Sequence, residues 1–302
     1  MNIFVTKSSP VLVGPSEPPH EANTIDLSSF DKSVAGYSIT SFLVYEDPIH
    51  KPAESIKRAL SRALVQYHPI AGRLSQAANG KELTISCTNE GVQFVAVTEF
   101  SCGGFVIGTT SNHVIADGEG MAQFLQAISE LARGFSQPSI TPIRCASSLA
   151  KDSPLLASSN KWLMSLSPVE MDYLDITIPS SLISRIKADF DNNQSNVQPC
   201  TLFEAAMAIL WQCRTRVVMS NPDTPMALLF ASSMRKHVGA KDGYYGNCFT
   251  MQAIFATSGE VANSHIDDIV NSIKRAKEKV PEIAGATLAW TRSTLVAGGQ
   301  LV

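Results

Sequence analysis

A histidine and an aspartate lie four positions apart in the stretch SNHVIADGEG, which runs from Ser111 to Gly120. A neutral imidazole can take a proton from a hydroxyl or amine near pH 7, so His113 is a candidate general base. A carboxylate at Asp117 can hold the turn by pairing with a cation or with backbone N–H groups, without touching the imidazole. Such pairs also occur by chance, and a histidine that merely ends a buried strand is the competing interpretation.

Other chemistries find less support in the residue pattern. Zinc takes three or four protein ligands, and neither the six cysteines nor any other cluster of histidines and carboxylates has suitable spacing. The sequence contains no G-x-S-x-G nucleophile elbow and no G-x-x-x-x-G-K phosphate loop. We therefore expect no bound metal.

The motif lies between two predicted elements that would position it. The preceding run GGFVIGTT is apolar without alternation, which predicts a strand buried on both faces. Met121, Leu125, Ile128 and Leu131 then recur at helical spacing, and Gly134 ends that helix at its C′ position. A buried strand, a turn and a helix would thus present His113 at a strand end.

Elsewhere the chain alternates between strand and helix patterns. A strand is predicted over Ala35–Glu46 and a helix over Ala53–Gln66. The stretches KELTISCT and GVQFVAVTEF predict a hairpin joined by NEG, and TPMALLFASSMRKH predicts another buried strand. Thr201 and Glu204 form a T-x-x-E capping box at the start of a further helix.

Composition limits the class of protein. The 302 residues are 44% apolar and 17% charged with a net charge of -3, which is typical of globular chains. The sequence has no basic stripe of the kind that binds nucleic acid, and no apolar run approaches the ~20 residues that span a bilayer. The N-terminus shows no signal-peptide pattern, and the scattered cysteines are typical of reduced, mostly buried thiols. We expect a cytoplasmic protein that binds neither nucleic acid nor membrane.

Four short motifs occur in the order found in the BAHD acyltransferases of plants. They are AGRL at Ala71–Leu74, H-x-x-x-D-G at His113–Gly118, W-x-C-x-x-R at Trp211–Arg216 and Y-x-G-N at Tyr244–Asn247. The chain resembles this family from about residue 10 to residue 280. The stretch from Met234 onward is similar to the benzoyl/acetyl alcohol acyltransferases of grasses.

The resemblance implies an α/β fold of two chloramphenicol-acetyltransferase-like domains with mixed sheets and flanking helices. The N-terminal domain would cover residues 1–150, a linker or crossover residues 135–170, and an incomplete C-terminal domain residues 171–302. It also implies an acyltransferase of plant secondary metabolism that uses acyl-CoA as co-substrate and an alcohol or amine as acceptor. We expect a monomer without a bound cofactor.

Within the family pattern His113 would be the general base and Asp117 a structural residue paired with an arginine. Arg235 is the candidate partner, because the family places its strand nearby. Gly118 would give the backbone room to turn into the helix. Tyr244 and Asn247 would either line a substrate channel or act as packing and a strand-end turn. The resemblance assigns no CoA-binding residue.

Two departures from the family pattern suggest a shortened member. The family carries a D-F-G-W-G signature near its C-terminus, and no Asp-Phe-Gly occurs here. Family members also have a longer segment where Val97–Phe100 joins GVQFVAV directly to EFSCGG. The alternative to an enzyme is therefore an inactive, truncated homologue that binds a partner or ligand. A zinc-dependent enzyme centred on His113 is a third possibility.

The second half of the chain also contains Trp211 and a cluster of basic residues. Trp211 is predicted to be part of a core. The lysines and arginine at 274–279 either form a solvated helix face or contact the CoA phosphates; they are Lys274, Arg275, Lys277 and Lys279.

Overall fold

The structure is a computed structural model that describes residues 5–7, 11–17, 23–76, 82–94, 97–149, 176–193 and 198–280. These residues fall into two compact units. The first draws on Met1–Lys161 and Arg235–Phe249, and the second on Trp162–Met234 and Thr250–Val302. The domain boundaries expected at residues 150 and 171 fall within 150–175, outside the described residues, so they stay a prediction.

The described residues of the first unit form three small sheets. Their strands are β1 (Val5–Lys7), β2 (Val11–Val13), β3 (Thr24–Asp26), β4 (Ser38–Tyr45), β5 (Arg73–Gln76), β6 (Leu83–Ser86), β7 (Val92–Phe94), β8 (Val97–Phe100) and β9 (Phe105–Asn112). A four-stranded antiparallel sheet has the order β1-β8-β9-β4, a second sheet pairs β2 with β7, and a third has the order β3-β6-β5.

Two long helices pack together in the first unit and bury its core. They are α2 (Pro52–Gln66) and α3 (Gly118–Ala132), with short helices α1 (Ser29–Ser33) and α6 (Arg235–Val238) beside them. The Tyr67 ring lies 5.0 Å from Phe124 and 4.9 Å from Tyr245, centroid to centroid. Removing these aromatic faces from water stabilises the unit and attaches the late segment 235–249 to the early helices.

The second unit surrounds a core of its own. Its elements are α4 (Ser180–Asn193), α5 (Leu202–Val218), β10 (Pro225–Ser233), β11 (Phe249–Thr257), α7 (Ser258–Asn263) and α8 (Ile266–Glu278), and β10 pairs with β11. Phe190, Trp211 and Ile273 lie in this core. The prediction that Trp211 is a core residue is confirmed, since it is 6% exposed.

Several predicted elements are confirmed. The helix expected over Ala53–Gln66 is α2, and the helix after the motif is followed by Gly134 with φ of +97°. Thr201 and Glu204 form the predicted capping box of α5, with the Thr201 side chain accepting from the Glu204 N–H. The α/β class is confirmed, and no helix within the described ranges is long and apolar enough to cross a bilayer.

The predicted hairpin is wrong. β6 pairs with β3 and β5, and β7 pairs with β2 instead. Asn89 and Gly91 have φ of +57° and +89°, and this left-handed backbone sends the chain from one sheet into another. Local strand patterns do not specify a partner, so adjacency in sequence misled the prediction.

The two strands that were expected to be buried are less buried than the sequence pattern predicts. In β9 only Phe105 is fully buried, and in β10 only Leu228 and Phe230 are. On the neighbouring β4, Phe42 and Val44 are 64% and 71% exposed. A run of apolar residues does not distinguish a strand with one buried face from a strand with two. The sequence pattern therefore overestimated the burial of these strands.

The expectation of a solvated basic helix face is wrong for Lys274. This residue is 7% exposed, and its Nζ lies 3.0 Å from Glu204 Oε2. Lys277 Nζ lies 2.6 Å from Glu204 Oε1, so both lysines neutralise a buried carboxylate.

The expectation of mostly buried thiols is also corrected. All six cysteines are free, but only Cys87, Cys200 and Cys248 are buried.

Candidate active site

The His-x-x-x-Asp motif forms the turn between β9 and α3. β9 ends at Asn112, whose side-chain Oδ1 accepts a hydrogen bond of 3.0 Å from the Val114 N–H. The His113 N–H donates to the Tyr37 carbonyl at 2.7 Å, which ties the turn to the residue before β4. His113 therefore lies at the end of a strand, where the sequence placed it.

The His113 side chain is held against an aromatic ring. The residue is 7% exposed, and its ring stacks on Phe249 with centroids 5.7 Å apart and planes 24° apart. Its Nδ1 is buried and has no hydrogen-bond partner in the described part of the chain. Nδ1 is thus not engaged in the carboxylate–imidazole pair of a Ser-His-Asp triad.

Asp117 is the N-cap of α3 and accepts four hydrogen bonds. Its Oδ1 accepts from the Gly120 N–H at 2.9 Å and from Arg235 Nη2 at 2.8 Å. Its Oδ2 accepts from Arg235 Nη1 at 3.0 Å and from the Cys248 N–H at 2.9 Å. The carboxylate is occupied by donors other than the imidazole, and a two-point guanidinium pair of this kind fixes its plane.

Arg235 is the partner that the sequence resemblance suggested, but it occupies a different element. It begins the short helix α6 and does not lie on a strand. Its Nη2 also donates to the Gly246 carbonyl at 2.9 Å, and its Nη1 reaches Glu119 at 3.0 Å. The guanidinium therefore connects the start of α3 to the stretch that carries the Y-x-G-N motif.

The glycine that the turn requires is not the expected one. A Cβ on Gly118 would meet nothing within 4 Å, so the backbone does not need glycine there for space. A Cβ on Gly120 would lie 1.8 Å from the Tyr245 carbonyl oxygen. Gly120 is the position that lets α3 approach the segment 244–248 closely.

Sequence reasoning missed the part played by Asn247. The residue is fully buried, and its Nδ2 donates to the His113 carbonyl at 2.7 Å and to Asp31 Oδ1 at 2.9 Å. Its backbone N–H donates to the same Asp31 oxygen at 3.1 Å. The strand-end turn expected here is therefore a buried polar contact to the motif. The Y-x-G-N motif was the available signal, but it does not name a partner so distant in sequence.

Arg144 and Asp31 were not singled out by the sequence either. Arg144 Nη2 lies 3.0 Å from Asp31 Oδ1, with side-chain exposures of 2% and 0%. The same guanidinium donates to the Val114 carbonyl at 2.8 Å and to the Ile115 carbonyl at 3.2 Å. A buried ion pair thus contacts the backbone of the two residues that follow His113.

Neither a thiol nucleophile nor a metal centre is indicated beside His113. Burial raises the pKa of the Cys248 thiol to about 12, so it is protonated at neutral pH and a poor nucleophile. No group of three or more His, Cys, Asp and Glu side chains that could hold a metal ion occurs within the described ranges.

Comparison with known proteins gives the family. The model of the "Transferase family" matches residues 3–97 and 94–299. The chain is 41% identical to acyl transferase 15 of Oryza sativa subsp. japonica, with 93% of this chain and 76% of the relative covered. It is 28% identical to piperamide synthase of Piper nigrum, with 92% and 73% covered.

Solved structures show the same fold. Vinorine synthase superposes with a TM-score of 0.66 at 18% identity, over 98% of this chain and 81% of that one. An F. sporotrichioides protein crystallised with coenzyme A and T-2 superposes with a TM-score of 0.60 at 14% identity, over 90% and 78%.

The alignments also locate a difference in length. The alignment with the rice relative extends over 336 positions, more than the 302 residues of this chain, so the relative has positions without a counterpart here. The two family matches overlap at residues 94–97, beside the point where the family pattern indicates a missing segment. With both matches covering nearly the whole chain, it belongs to the Transferase family, the BAHD acyltransferases, whose members transfer acyl groups other than aminoacyl groups.

Proposed function

We propose that the chain transfers an acyl group from a CoA thioester to the hydroxyl or amine of a small-molecule acceptor, with His113 as general base. The proposal depends on how the backbone of His113 and the carboxylate of Asp117 are held. The His113 backbone is fixed at a strand end, while the Asp117 carboxylate is taken up by Arg235 and backbone N–H groups. The imidazole is thus left to exchange protons with a substrate.

Nε2 is the ring nitrogen that we assign to the reaction, because Nδ1 is buried. His113 accepts the acceptor's proton as the acceptor oxygen or nitrogen attacks the thioester carbonyl. The tetrahedral adduct then collapses, the carbon–sulfur bond breaks, and the CoA thiolate takes the proton back from the imidazolium. One acyl–sulfur bond is exchanged for one acyl–oxygen or acyl–nitrogen bond, and no covalent enzyme intermediate forms.

Support for acyl-CoA as co-substrate comes from the relatives. The F. sporotrichioides neighbour was crystallised with coenzyme A, and the rice relative is named an acyl transferase. The Crocosmia x crocosmiiflora relative, 30% identical, is named a caffeoyltransferase of a myricetin glycoside, which supports a small plant metabolite as acceptor. The six free cysteines support a reducing, cytoplasmic compartment.

The test is thiol release by the purified chain incubated with acetyl-CoA or benzoyl-CoA and a panel of alcohols. We expect His113→Ala to lower turnover by about 10²–10⁴-fold, the usual contribution of general base catalysis. His50→Ala is the control, because this histidine is exposed and outside the motif. Turnover that survives His113→Ala unchanged would refute the assigned base.

The second candidate function is an inactive homologue that binds a ligand or partner. The positions of the rice relative that have no counterpart here favour it. A folded wild-type chain that releases no more thiol than the His113→Ala variant would establish that the chain is an inactive homologue. Zinc bound in proportion to activity would instead establish the metal-dependent enzyme, and a metal-free active preparation would eliminate it.

A further inference from the structure

Three consecutive backbone carbonyls of the motif receive side-chain donors from elsewhere in the chain. The His113 carbonyl accepts from Asn247, and the Val114 and Ile115 carbonyls accept from Arg144. Both donor side chains are buried. Turn carbonyls usually face water, so this degree of side-chain coverage requires a specific arrangement.

The two donors share one acceptor. Asp31 Oδ1 accepts from the Asn247 amide, the Asn247 backbone and Arg144. Asp31 Oδ2 accepts from the N–H and the hydroxyl of Ser28 at 2.9 and 2.8 Å. The carboxylate is fully buried and balanced by the buried guanidinium, so it can hold both donors in place without water.

The chemistry at position 247 requires an amide. Both contacts of Nδ2 are to oxygen atoms, so both hydrogens of the NH₂ group are used. Asn247 Oδ1 is buried without a hydrogen-bond partner among the described residues, and the reversed amide would place that oxygen against two others. An aspartate here would set a second negative charge against Asp31.

We propose that Asn247 and Arg144, held by Asp31, are positioning residues that fix the direction in which His113 projects. The inference rests on the proposed role of His113 as base. The peptide group before His113 is tied through its N–H to Tyr37, and the one after it is tied through its carbonyl to Asn247. With both peptide planes held, the Cα–Cβ bond has one direction, and Phe249 supports the ring. A misplacement of about 1 Å can cost roughly 10²-fold in rate.

The first measurement is steady-state kinetics of Asn247→Ala and the milder Asn247→Ser in the 302-residue chain. We expect kcat to fall by about 10–100-fold while KM for acyl-CoA changes by less than about two-fold, because the base is displaced and no substrate contact is lost. Gln212→Ala is the matched control. This buried amide also donates to two carbonyls, those of Val261 and Ser264, but in the second unit. This control removes equivalent hydrogen bonds, and we expect it to leave kcat unchanged.

The second measurement does not depend on activity. In histidine-labelled protein the ring signal of His113, identified among six histidines by its loss in His113→Ala, reports the position of the imidazole. We expect this signal to shift or split in Asn247→Ser and to stay as in wild type in Gln212→Ala. If the wild-type chain has no turnover, the proposed function fails while this signal still tests the positioning.

Two results would overturn the inference. One is an Asn247→Ser protein with wild-type kcat and an unchanged His113 signal. The other is a rise in KM at constant kcat, which would place Asn247 in substrate binding.

Discussion

Asp117 accepts hydrogen bonds from its own helix, from Arg235 and from the Cys248 backbone. Replacing Asp117 by Asn keeps the shape but removes the charge and turns one acceptor into a donor facing the guanidinium. We expect the free energy of unfolding to fall by about 3 kcal/mol, as for other partly buried ion pairs that lose one partner. Urea titration of the purified variant measures this loss. The pH profile of any activity should stay unchanged, because the carboxylate is engaged elsewhere than on the imidazole.

The neighbouring Glu119 offers the matched control. It contacts the same guanidinium at 3.0 Å, but its side chain is 58% exposed. An exposed pair contributes about 0–1 kcal/mol, so Glu119→Gln should melt close to wild type. An Asp117→Asn protein with wild-type stability and a shifted pH optimum would contradict the structural role.

Local spacing pointed to His113 and Asp117 as candidates, and the family resemblance added Arg235 as the partner of Asp117. The role of Asn247 was not predicted, and Asp31 and Arg144 were not singled out, because each acts through contacts to residues far away in the chain. Asp31 is 216 positions from Asn247. A side chain that donates to a backbone carbonyl also leaves no residue-type pattern at the acceptor, since every residue has a carbonyl.

The first turn of α3 contains two glycines with opposite requirements. A Cβ on Gly120 would lie 1.8 Å from a backbone oxygen that cannot move without displacing the segment 244–248. We expect Gly120→Ala to destabilise the protein by about 1–3 kcal/mol, the usual cost of overpacking. Gly118→Ala meets nothing within 4 Å and should be neutral or stabilising by up to about 1 kcal/mol. Thermal melts of the two variants, compared with wild type, test the pair; equal melting temperatures would refute the close approach.

Helices were predicted better than strand pairs. The start of α5 was readable because its capping box joins residues three positions apart. The end of α3 was readable because one glycine supplies the left-handed residue after it. The partner of β7 is β2, about 80 positions earlier, so its pattern could not distinguish this pairing from a hairpin with β6.

The order of segments along the chain differs from their grouping into units. Residues 235–249 follow most of the second unit in sequence but belong to the first. Ile143 bridges to Tyr244, and Arg235 holds Asp117, so the H-x-x-x-D and Y-x-G-N motifs share one unit. The sequence predicted both motifs but not their association, because it depends on these long-range contacts.

Each unit also contains a buried glutamate whose pKa is well below its ordinary value of 4.5. The backbone N–H and hydroxyl of Ser139, with Gln126, lower the pKa of Glu130 to about 2. Burial raises the pKa of Glu204, but hydrogen bonds from Lys277, the Thr201 backbone and Lys274 outweigh it and lower the pKa to about 2. When ionised, both carboxylates therefore stabilise the folded state.

Acid should therefore destabilise both units over the same range. A carboxyl group whose pKa is lower in the folded chain contributes stability above its unfolded value, and that contribution is lost as pH falls toward the folded value. We expect the free energy of unfolding to fall between about pH 4.5 and pH 2, measured by urea titration at pH 7, 4.5 and 3. Glu130→Gln and Glu204→Gln should each lower the stability at pH 7 and flatten this fall. A double variant with the same dependence on pH as wild type would show that other carboxyl groups cause it.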